Sequence, residues 1–204
     1  MGRKIQFLIK RIFDLAFSAI LLIFSLPFFA AAAAVIKICS PEAPVIYRQQ
    51  RVGLCGREFT IFKLRTMTEQ RDENGALLPD EQRLRRWGLI IRKTNLDEIP
   101  QVFNIFLNQM SLIGPRPLLK KEMRVLSEAE QKIRQSVLPG ITGWEAVNES
   151  RAHTRRKKAL YDLYYVKHWS LWLDIKIFFM TAALIFGFGR PDDSLRAPKI
   201  EDEP

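Results

Sequence analysis

The chain has 204 residues, 48% of them apolar, which is enough to bury one core. It has only two cysteines, without the spacing of a metal site, so the composition excludes a disulfide-rich secreted scaffold and favours a reducing compartment. The net charge of +10 favours polyanionic neighbours, which can be nucleic acid, anionic lipid or phosphorylated substrates.

The N-terminal part contains an uncharged apolar stretch of 22 residues, Leu15 to Ile36. As a single helix it is about 33 Å long, which is enough to cross the hydrocarbon core of a bilayer. Both flanks are basic, whereas Lys and Arg usually remain on the cytoplasmic side. A helix that enters the membrane and returns satisfies both flanks. Pro27 favours the bend, and the hydroxyl of Ser25 can bond a carbonyl that the proline frees.

Two other interpretations of this stretch stay open, a plain transmembrane anchor and a cleavable signal peptide. The small residues Ala30 to Ala34 suit a cleavage site. The apolar stretch is nevertheless longer than the roughly 7–15 residues usual in a signal peptide. A re-entrant helix is therefore the preferred interpretation.

After the membrane segment, the sequence predicts a β-hairpin and then a loop. The runs Val45–Val52 and Glu58–Met67 have strand character and are joined by Gly53–Gly56. The following stretch, Glu69–Glu81, is mostly polar and contains Asn74-Gly75, so it is predicted to lie on the surface.

The middle of the chain is predicted to be helical. Leu84, Trp87 and Ile91 recur at the spacing of an amphipathic helix, and a second helix is predicted from near Leu96 to Phe106. Three further elements are predicted in chain order: a loop at Gly114–Pro117, a helix from Lys120 to Val137 and a turn-rich loop at Pro139–Gly143.

Two helices are predicted in the C-terminal part. The first, Arg155–Lys167, carries a basic run. The second, Asp174–Phe188, is almost wholly apolar and short for a membrane span, so it suits a helix lying at the membrane interface. A buried core helix would have the same composition.

Two adjacent acids, Asp97 and Glu98, begin the second of the middle helices. Acids are common in a first helical turn because they complement the helix dipole, so the pair alone is weak evidence of function. Adjacent helical side chains point about 100° apart, however, and Arg92 lies one to two turns upstream. An Asp carboxylate can attack phosphorus, a second acid can hold a divalent cation, and an arginine can bind phosphate oxygens. The combination is typical of a phosphate-transfer site.

Further basic residues lie where a strand or turn exposes them. Lys63 and Arg65 end the predicted hairpin, and two prolines hold Arg116 in a stiff loop. The same patterns are typical of a solvated strand end and of an ordinary tight turn. The basic run Arg155–Lys158 is typical of a solvated helix face or of a contact with anionic lipid.

Taken in order, these motifs resemble those of the bacterial sugar transferases, or monotopic phosphoglycosyl transferases, and particularly of the small members that begin glycan assembly on a polyprenyl phosphate. The resemblance covers almost the whole chain. It rests on Lys10-Arg-Ile-Phe-Asp14, the membrane proline, Lys63-Leu-Arg-Thr-Met67, Leu96-Asp-Glu-Ile-Pro-Gln101, Asn104, Met110-Ser-Leu-Ile-Gly-Pro-Arg-Pro117 and Pro139-Gly-Ile-Thr-Gly-Trp144.

The resemblance implies that a sugar-1-phosphate passes from a UDP-sugar to undecaprenyl phosphate, with release of UMP, through a covalent aspartyl phosphosugar. Asp97 is the expected nucleophile and Glu98 the expected Mg²⁺ ligand. Arg92 and Arg116 match the phosphate-binding arginines of the family, and Lys63 and Arg65 match its basic strand end, so the six residues form the predicted catalytic and substrate-binding set. An N-acetylated amino sugar is the expected donor sugar.

The predicted fold is α+β and mostly helical, with a small β-hairpin and amphipathic interfacial helices around a cytosolic active site. Residues 1–40 are predicted to form the re-entrant membrane helix, 41–189 a catalytic domain on the cytosolic face of the bacterial inner membrane, and 190–204 a disordered tail. Inner-membrane lipids are expected partners, and nucleic acid is not. The competing hypothesis is a non-catalytic basic scaffold that is anchored to the membrane and binds lipid or nucleic acid.

The chain departs from the family pattern at two places. The Ser-Pro break of the membrane helix appears here as Leu26-Pro27, with Ser25 one position early. After Trp144 many members continue with Ala-Gln-Val-Asn-Gly-Arg-Asn, whereas this chain has Glu145-Ala-Val-Asn-Glu-Ser-Arg151. The second difference bears on the sugar preference more than on the type of reaction.

Overall fold

The computed structural model describes residues 2–148 and 154–187, so the end of the altered loop and the predicted tail lie outside the described residues. The fold is mostly helical with two small sheets, which confirms the predicted α+β class at this level. The helices are α1 (Arg3–Cys39), α2 (Asp80–Arg83), α3 (Arg86–Lys93), α4 (Gln101–Phe106), α5 (Glu128–Arg134), α6 (Trp144–Val147), α7 (Arg155–Lys167) and α8 (Leu171–Ile185). The strands are β1 (Ile46–Val52), β2 (Glu58–Leu64), β3 (Ser111–Ile113) and β4 (Gly140–Thr142).

The chain forms two compact units that alternate along the sequence. The first comprises Met1–Leu15, Gln50–Phe59 and Ile105–Pro204, and the second comprises Ala16–Gln49 and Thr60–Asn104. Each has its own apolar cluster, around Met123 and Leu163 in the first unit and around Ile36 and Ile91 in the second. The three segments predicted from the sequence stay a prediction.

Helix α1 contains the whole apolar stretch, and its length and composition are those of a helix that can cross a membrane. Pro27 lies inside it. The hydroxyl of Ser25 donates to the carbonyl of Leu22 over 3.1 Å, whereas the carbonyl that lacks a helical donor because of Pro27 is that of Ile23. The hydroxyl therefore forms a helix-backbone bond, but not with the freed carbonyl.

The beginning of α1 is tied to the first unit by buried charges. The ammonium of Lys10 lies 2.9 Å from Asp174 of α8, and the carboxylate of Asp14 accepts the backbone N–H of Leu112 in β3. Tyr165 of α7 also donates to Asp174, over 2.7 Å. Because paired buried charges hold their partners in defined positions, this cluster fixes the start of α1 against β3, α7 and α8.

The predicted hairpin is confirmed: β1 and β2 pair, and a 3₁₀ turn at Leu54–Gly56 lies in the connection. Cys55 and Gly56 both have positive φ angles there, of 54° and 75°. The second strand ends at Leu64, three residues earlier than the predicted Met67. Beyond it the backbone N–H of Thr68 donates to the carbonyl of Arg83.

The loop predicted at Pro139–Gly143 is wrong, because Gly140–Thr142 forms β4 and pairs in parallel with β3. The glycines have a packing role. A Cβ atom on Gly140 would lie 2.1 Å from the backbone nitrogen of Gly114, and one on Gly143 would lie 2.2 Å from the carbonyl oxygen of Gly114. The two backbones approach so closely that only glycine fits.

The single helix predicted over Lys120–Val137 is also wrong, since a 3₁₀ turn at Glu122–Val125 is followed by the separate helix α5. Ser127 and Glu130 form a capping box, in which each side chain accepts the backbone N–H of the other residue. Such a box starts a new helix. The Ser-x-x-Glu signal was present in the sequence.

The helix predicted at Arg155–Lys167 is confirmed as α7. Helix α8 begins at Leu171, three residues before the predicted Asp174, because Ser170 caps it by accepting the N–H of Leu173. Ile177 of α8 is buried, whereas Trp172 and Phe179 are 75% and 66% exposed. This helix therefore has a buried face and an exposed aromatic face, which argues against a helix buried on all sides.

Candidate active site

The two acids lie in a 3₁₀ turn, Leu96–Glu98, between α3 and α4. Their predicted place in the first turn of an α-helix is wrong, since α4 begins only at Gln101. Asn95 precedes the turn with a left-handed backbone, φ 56°, and Pro100 directly precedes α4, where a residue without an N–H is tolerated. Successive residues of a 3₁₀ turn point about 120° apart, so the two carboxylates still diverge.

Glu98 forms an ion pair with Lys63, which lies next to the end of β2. The ammonium of Lys63 is 2.7 Å from the carboxylate of Glu98, and both side chains are partly buried. Thirty-five positions separate the two residues in sequence. The strand end thus supplies a positive charge to the acid pair, as the predicted site requires.

Burial raises the pKa of the Asp97 carboxyl above its ordinary value, and the negative charge of Glu98 raises it further. Lys63 and Arg92 act in the opposite direction. Within the described residues, no side chain donates a hydrogen bond to the Asp97 carboxylate. The carboxylate is thus partly desolvated and is bonded by no side chain of the described residues, while a hydrogen bond from the backbone of its own residue lowers its pKa. A desolvated carboxylate without a side-chain partner suits a nucleophile.

The guanidinium of Arg92 is oriented by a residue that the sequence reasoning missed. Its Nε donates to the hydroxyl of Thr66 over 2.8 Å, which leaves its terminal nitrogens for other acceptors. Helix α3 meets the same residue through Gly88, where a Cβ atom would lie 1.9 Å from the carbonyl oxygen of Thr66. Gly88 lies four positions before Arg92, on the same helix face, so this contact places Arg92 beside Thr66.

Asn104 ties the helix that follows the acids to the strand that carries Lys63. It is fully buried, its side-chain oxygen accepts the N–H of Phe62, and its amide nitrogen donates to the carbonyl of Thr60 over 2.7 Å. Through these two bonds the side chain of Asn104 connects α4 to the backbone of β2. Asn104 is one of the residues on which the family resemblance rests, but the sequence did not indicate that it joins α4 to β2.

Arg65 is held by the structure around it. Its Nε donates to the carbonyl of Pro44 over 2.8 Å, it pairs with Glu69 over 2.7 Å, and it lies over the ring of Tyr47. It is also 9% exposed. Its contacts are those of a residue that fixes the chain after β2, and its predicted part in substrate binding stays a prediction.

Arg116 lies in the first unit, in the loop that follows β3, with its side chain exposed. Both of its backbone polar groups are held. Its N–H donates to Asp162 of α7 over 3.4 Å, and its carbonyl accepts from Arg134 of α5. Arg134 and Asp162 form an ion pair of 2.6 Å and are each 3% exposed in their side chains. Burial raises the pKa of Asp162 and Arg134 opposes this rise, so the loop is stiffened by a buried ion pair as well as by its prolines.

The sequence as a whole matches the family model described as "Bacterial sugar transferase" over residues 5–187. The chain belongs to the bacterial sugar transferase family. This confirms both the resemblance given by the motif order and the prediction that the protein is an enzyme.

Individual relatives agree with this assignment. The chain is 42% identical to the uncharacterized sugar transferase EpsL of Bacillus subtilis, over 85% of each protein. It is 40% identical to a UDP-glucose:undecaprenyl-phosphate glucose-1-phosphate transferase of Xanthomonas campestris, over 79% of this chain and 35% of the relative. It is 38% identical to a UDP-N-acetylgalactosamine-undecaprenyl-phosphate N-acetylgalactosaminephosphotransferase of Aeromonas hydrophila, over 89% of this chain and 44% of the relative. The chain thus spans most of the first relative and less than half of the other two.

The acidic side chains of this sugar transferase are compatible with Mg²⁺ binding of one kind. No group of three or more His, Cys, Asp or Glu side chains that could hold a metal ion occurs in residues 2–148 and 154–187. Mg²⁺ commonly binds through one or two carboxylates together with the phosphates of a substrate, and keeps several waters. Glu98 beside Asp97 fits that mode.

Proposed function

We propose that this transferase moves a sugar-1-phosphate from a UDP-sugar to undecaprenyl phosphate and releases UMP. The observation that carries the proposal is the pair Asp97 and Glu98 set between two cations, Lys63 and Arg92, in a chain of this family. The relatives from Xanthomonas and Aeromonas, whose names contain both substrates, support the choice of donor and acceptor.

In the proposed reaction the carboxylate of Asp97 attacks the sugar-side phosphorus of the UDP-sugar. The new P–O bond makes an acyl phosphate, and the bond to the departing UMP breaks. A phosphate oxygen of undecaprenyl phosphate then attacks the same phosphorus and displaces the carboxylate. The products are UMP and an undecaprenyl diphosphate sugar, and Asp97 is regenerated.

Four other residues of the predicted set have electrostatic tasks in this proposal. Glu98 binds Mg²⁺, which when present offsets the charge of the diphosphate. The guanidinium groups of Arg92 and Arg116 bind phosphate oxygens in two-point contacts. Lys63 pairs with Glu98 and lowers the pKa of Asp97. The relatives act by name on glucose or on N-acetylgalactosamine, so an N-acetylated amino sugar stays a prediction.

The experiment that tests this function is a measurement of UMP release. Membranes containing the protein are given undecaprenyl phosphate, Mg²⁺ and each of a panel of UDP-sugars. UMP is expected with at least one donor from the wild type and with none from the variant Asp97→Asn. A wild type that releases no UMP with any common UDP-sugar would contradict the proposal. The panel also identifies the sugar.

Replacing Lys63 by Met is expected to move the acidic limb of the pH–rate profile to higher pH. Lys63 lowers the pKa of Asp97, so its removal raises that pKa, and the nucleophile becomes ionised only at higher pH. The measurement is kcat/KM for the UDP-sugar between pH 4 and 9. The exposed Lys120, replaced by Met, serves as the control and should leave the limb in place. An unmoved limb in the Lys63 variant, or one moved to lower pH, would show that Asp97 does not set it.

We further propose that α1 and the exposed face of α8 lie in the cytoplasmic leaflet of the inner membrane, with α1 re-entrant. Phe24 of α1 is 73% exposed and Trp172 of α8 is 75% exposed, and such apolar surface is typical of a membrane contact. In the first unit, an apolar cavity of about 240 Å³ lies between the start of α1 and α8, where Phe13 and Phe179 line it.

Cysteine labelling tests this topology. Both native cysteines are free and exposed, so the background is Cys39→Ser/Cys55→Ser. Cysteines placed singly at Arg3 and at Arg48, one on each side of the apolar stretch, should both be protected from an impermeant thiol reagent added to intact cells. They should both react after the membrane is opened. Labelling of intact cells at only one of the two positions would indicate a spanning helix instead.

A further inference from the structure

A cleft of about 280 Å³ opens within the first unit, on the face of α7. Three residues of this helix that line it are Arg155, Lys158 and Asp162. They lie three, four and seven positions apart, which puts them on one helix face. Arg116 lines the cleft from the loop after β3, and Glu145 lines it from α6.

The basic residues at the start of α7 have two different roles. Arg156 pairs with both carboxylate oxygens of Glu130 in α5, each over 2.7 Å, so it holds two helices together. Arg155 and Lys158 face the cleft instead. The run is therefore more than a uniformly solvated helix face.

Two of the cations at the cleft are unpaired within residues 2–148 and 154–187 and can bind a ligand. Asp162 is engaged by Arg134 and by the backbone of Arg116. Among the described residues, neither the guanidinium of Arg116 nor that of Arg155 has a hydrogen-bond partner, and both side chains are exposed. Two arginines that converge on one cleft form a site for phosphate oxygens, since guanidinium groups bind them in two-point contacts.

The cleft also contains a hydrogen-bond acceptor. Glu145 is 3% exposed, and one of its carboxylate oxygens lies 3.4 Å from the ammonium of Lys158. A buried carboxylate opposes the binding of a bare phosphate, because like charges repel at low dielectric. It suits a ligand that carries hydroxyl groups close to its phosphate, since a carboxylate accepts hydrogen bonds from a ribose hydroxyl.

We propose that this cleft binds UMP, the nucleotide product of the proposed reaction. Arg116, Arg155 and Lys158 bind the phosphate oxygens, and Glu145 accepts a hydrogen bond from a ribose hydroxyl. Undecaprenyl phosphate could use the same cations, but it has no hydroxyl group to donate to Glu145. The inference rests on the proposed function and assigns its nucleotide to named residues.

The test is equilibrium binding of UMP to the full chain in detergent micelles. The double variant Arg155→Gln/Lys158→Gln removes two charge-assisted contacts and should raise the dissociation constant about tenfold or more. The control Lys157→Gln/Lys167→Gln also removes two positive charges from this helix, and neither residue lines the cleft, so its affinity for UMP should equal that of the wild type. Far-UV circular dichroism confirms that each variant is folded.

A second comparison examines Glu145. The wild type should bind UMP about tenfold more tightly than 2′-deoxy-UMP or 3′-deoxy-UMP, whichever lacks the bonded hydroxyl, because a buried acceptor is left unpaired by the analogue. Glu145→Ala should remove this preference. If the preference is absent from the wild type, or unchanged in the variant, the assignment of Glu145 is overturned.

The remaining outcomes separate this inference from the proposed function. Unchanged UMP affinity in the double variant overturns the cleft, even if Asp97→Asn abolishes UMP release and the transferase proposal stands. Weaker binding of farnesyl phosphate, with UMP binding unchanged, also overturns it, because the cleft would then serve the lipid phosphate. Cleft-dependent UMP binding in a protein that releases no UMP from any UDP-sugar would support the cleft and overturn the transfer reaction.

Discussion

Replacing Asp97 by Asn is expected to lower UMP release by at least about 10³-fold, because an amide cannot form the acyl phosphate and loss of a nucleophile has effects of that size or larger. The substitution hardly changes the volume of a half-buried side chain, so the fold should be unaffected. Asp97→Glu keeps the carboxylate but displaces it by about one methylene group, and a misplacement of that order costs about 100-fold. The measurement is UMP released per minute by membranes with equal amounts of each variant.

The neighbouring acid provides the matched control. Glu98→Gln makes the same chemical change in the same 3₁₀ turn, and it is expected to raise the Mg²⁺ concentration needed for half-maximal rate without removing the covalent step. With UDP-sugar labelled in the sugar and no lipid acceptor, the wild type and Glu98→Gln should both retain label that hydroxylamine releases. Asp97→Asn should retain none. Label retained by Asp97→Asn would place the nucleophile elsewhere.

The acid pair could be recognised in the sequence because the residues that indicate its function are close together in the chain. Asp97, Glu98 and Arg92 lie within seven positions of one another, and one short segment carries all three. The contacts that orient them are not local. The bond from Arg92 to Thr66 spans 26 positions and the two bonds from Asn104 to β2 span 42 and 44. Nothing in the periodicity of either segment indicates these pairings.

The parallel strands show a different limit. Each has three residues, which is too short for an alternating pattern, and the register joins Ser111 to Gly140 across 29 positions. Glycines normally indicate a turn, so Gly140 and Gly143 predicted a loop. Glycine is required at these positions because two backbones approach closely, and this can be seen only when the partner strand is known.

The capping box at Ser127 was, by contrast, readable from the sequence. Ser127 and Glu130 have the spacing of a helix start, but they lie inside a longer apolar pattern that favours one continuous helix. Burial of charge was not readable. Arg134 and Asp162 lie on polar helices and would ordinarily be placed at the surface, yet both are buried and hold Arg116.

Replacing Asp162 by Asn is expected to destabilise the protein by about 3–5 kcal/mol, because it leaves the charge of Arg134 buried without a partner. For a chain of this size the midpoint of thermal unfolding should fall by roughly 10 °C. The same two helices, α5 and α7, are joined by a second ion pair between Glu130 and Arg156, whose side chains are 23% and 43% exposed. Glu130→Gln breaks that pair and should cost at most about 1 kcal/mol, since partly exposed pairs are screened by solvent.

The double variant Arg134→Met/Asp162→Leu separates the effect of the ion pair from the effect of its bonds to the backbone of Arg116. Replacing a buried pair by apolar side chains is often neutral or stabilising, so the double variant should be more stable than Asp162→Asn. The double variant also loses both bonds to the backbone of Arg116, which should cost about 0.5–1.5 kcal/mol each. If the double variant unfolds at the same temperature as Asp162→Asn, the unpaired buried charge of Arg134 is not the cause of the instability of Asp162→Asn.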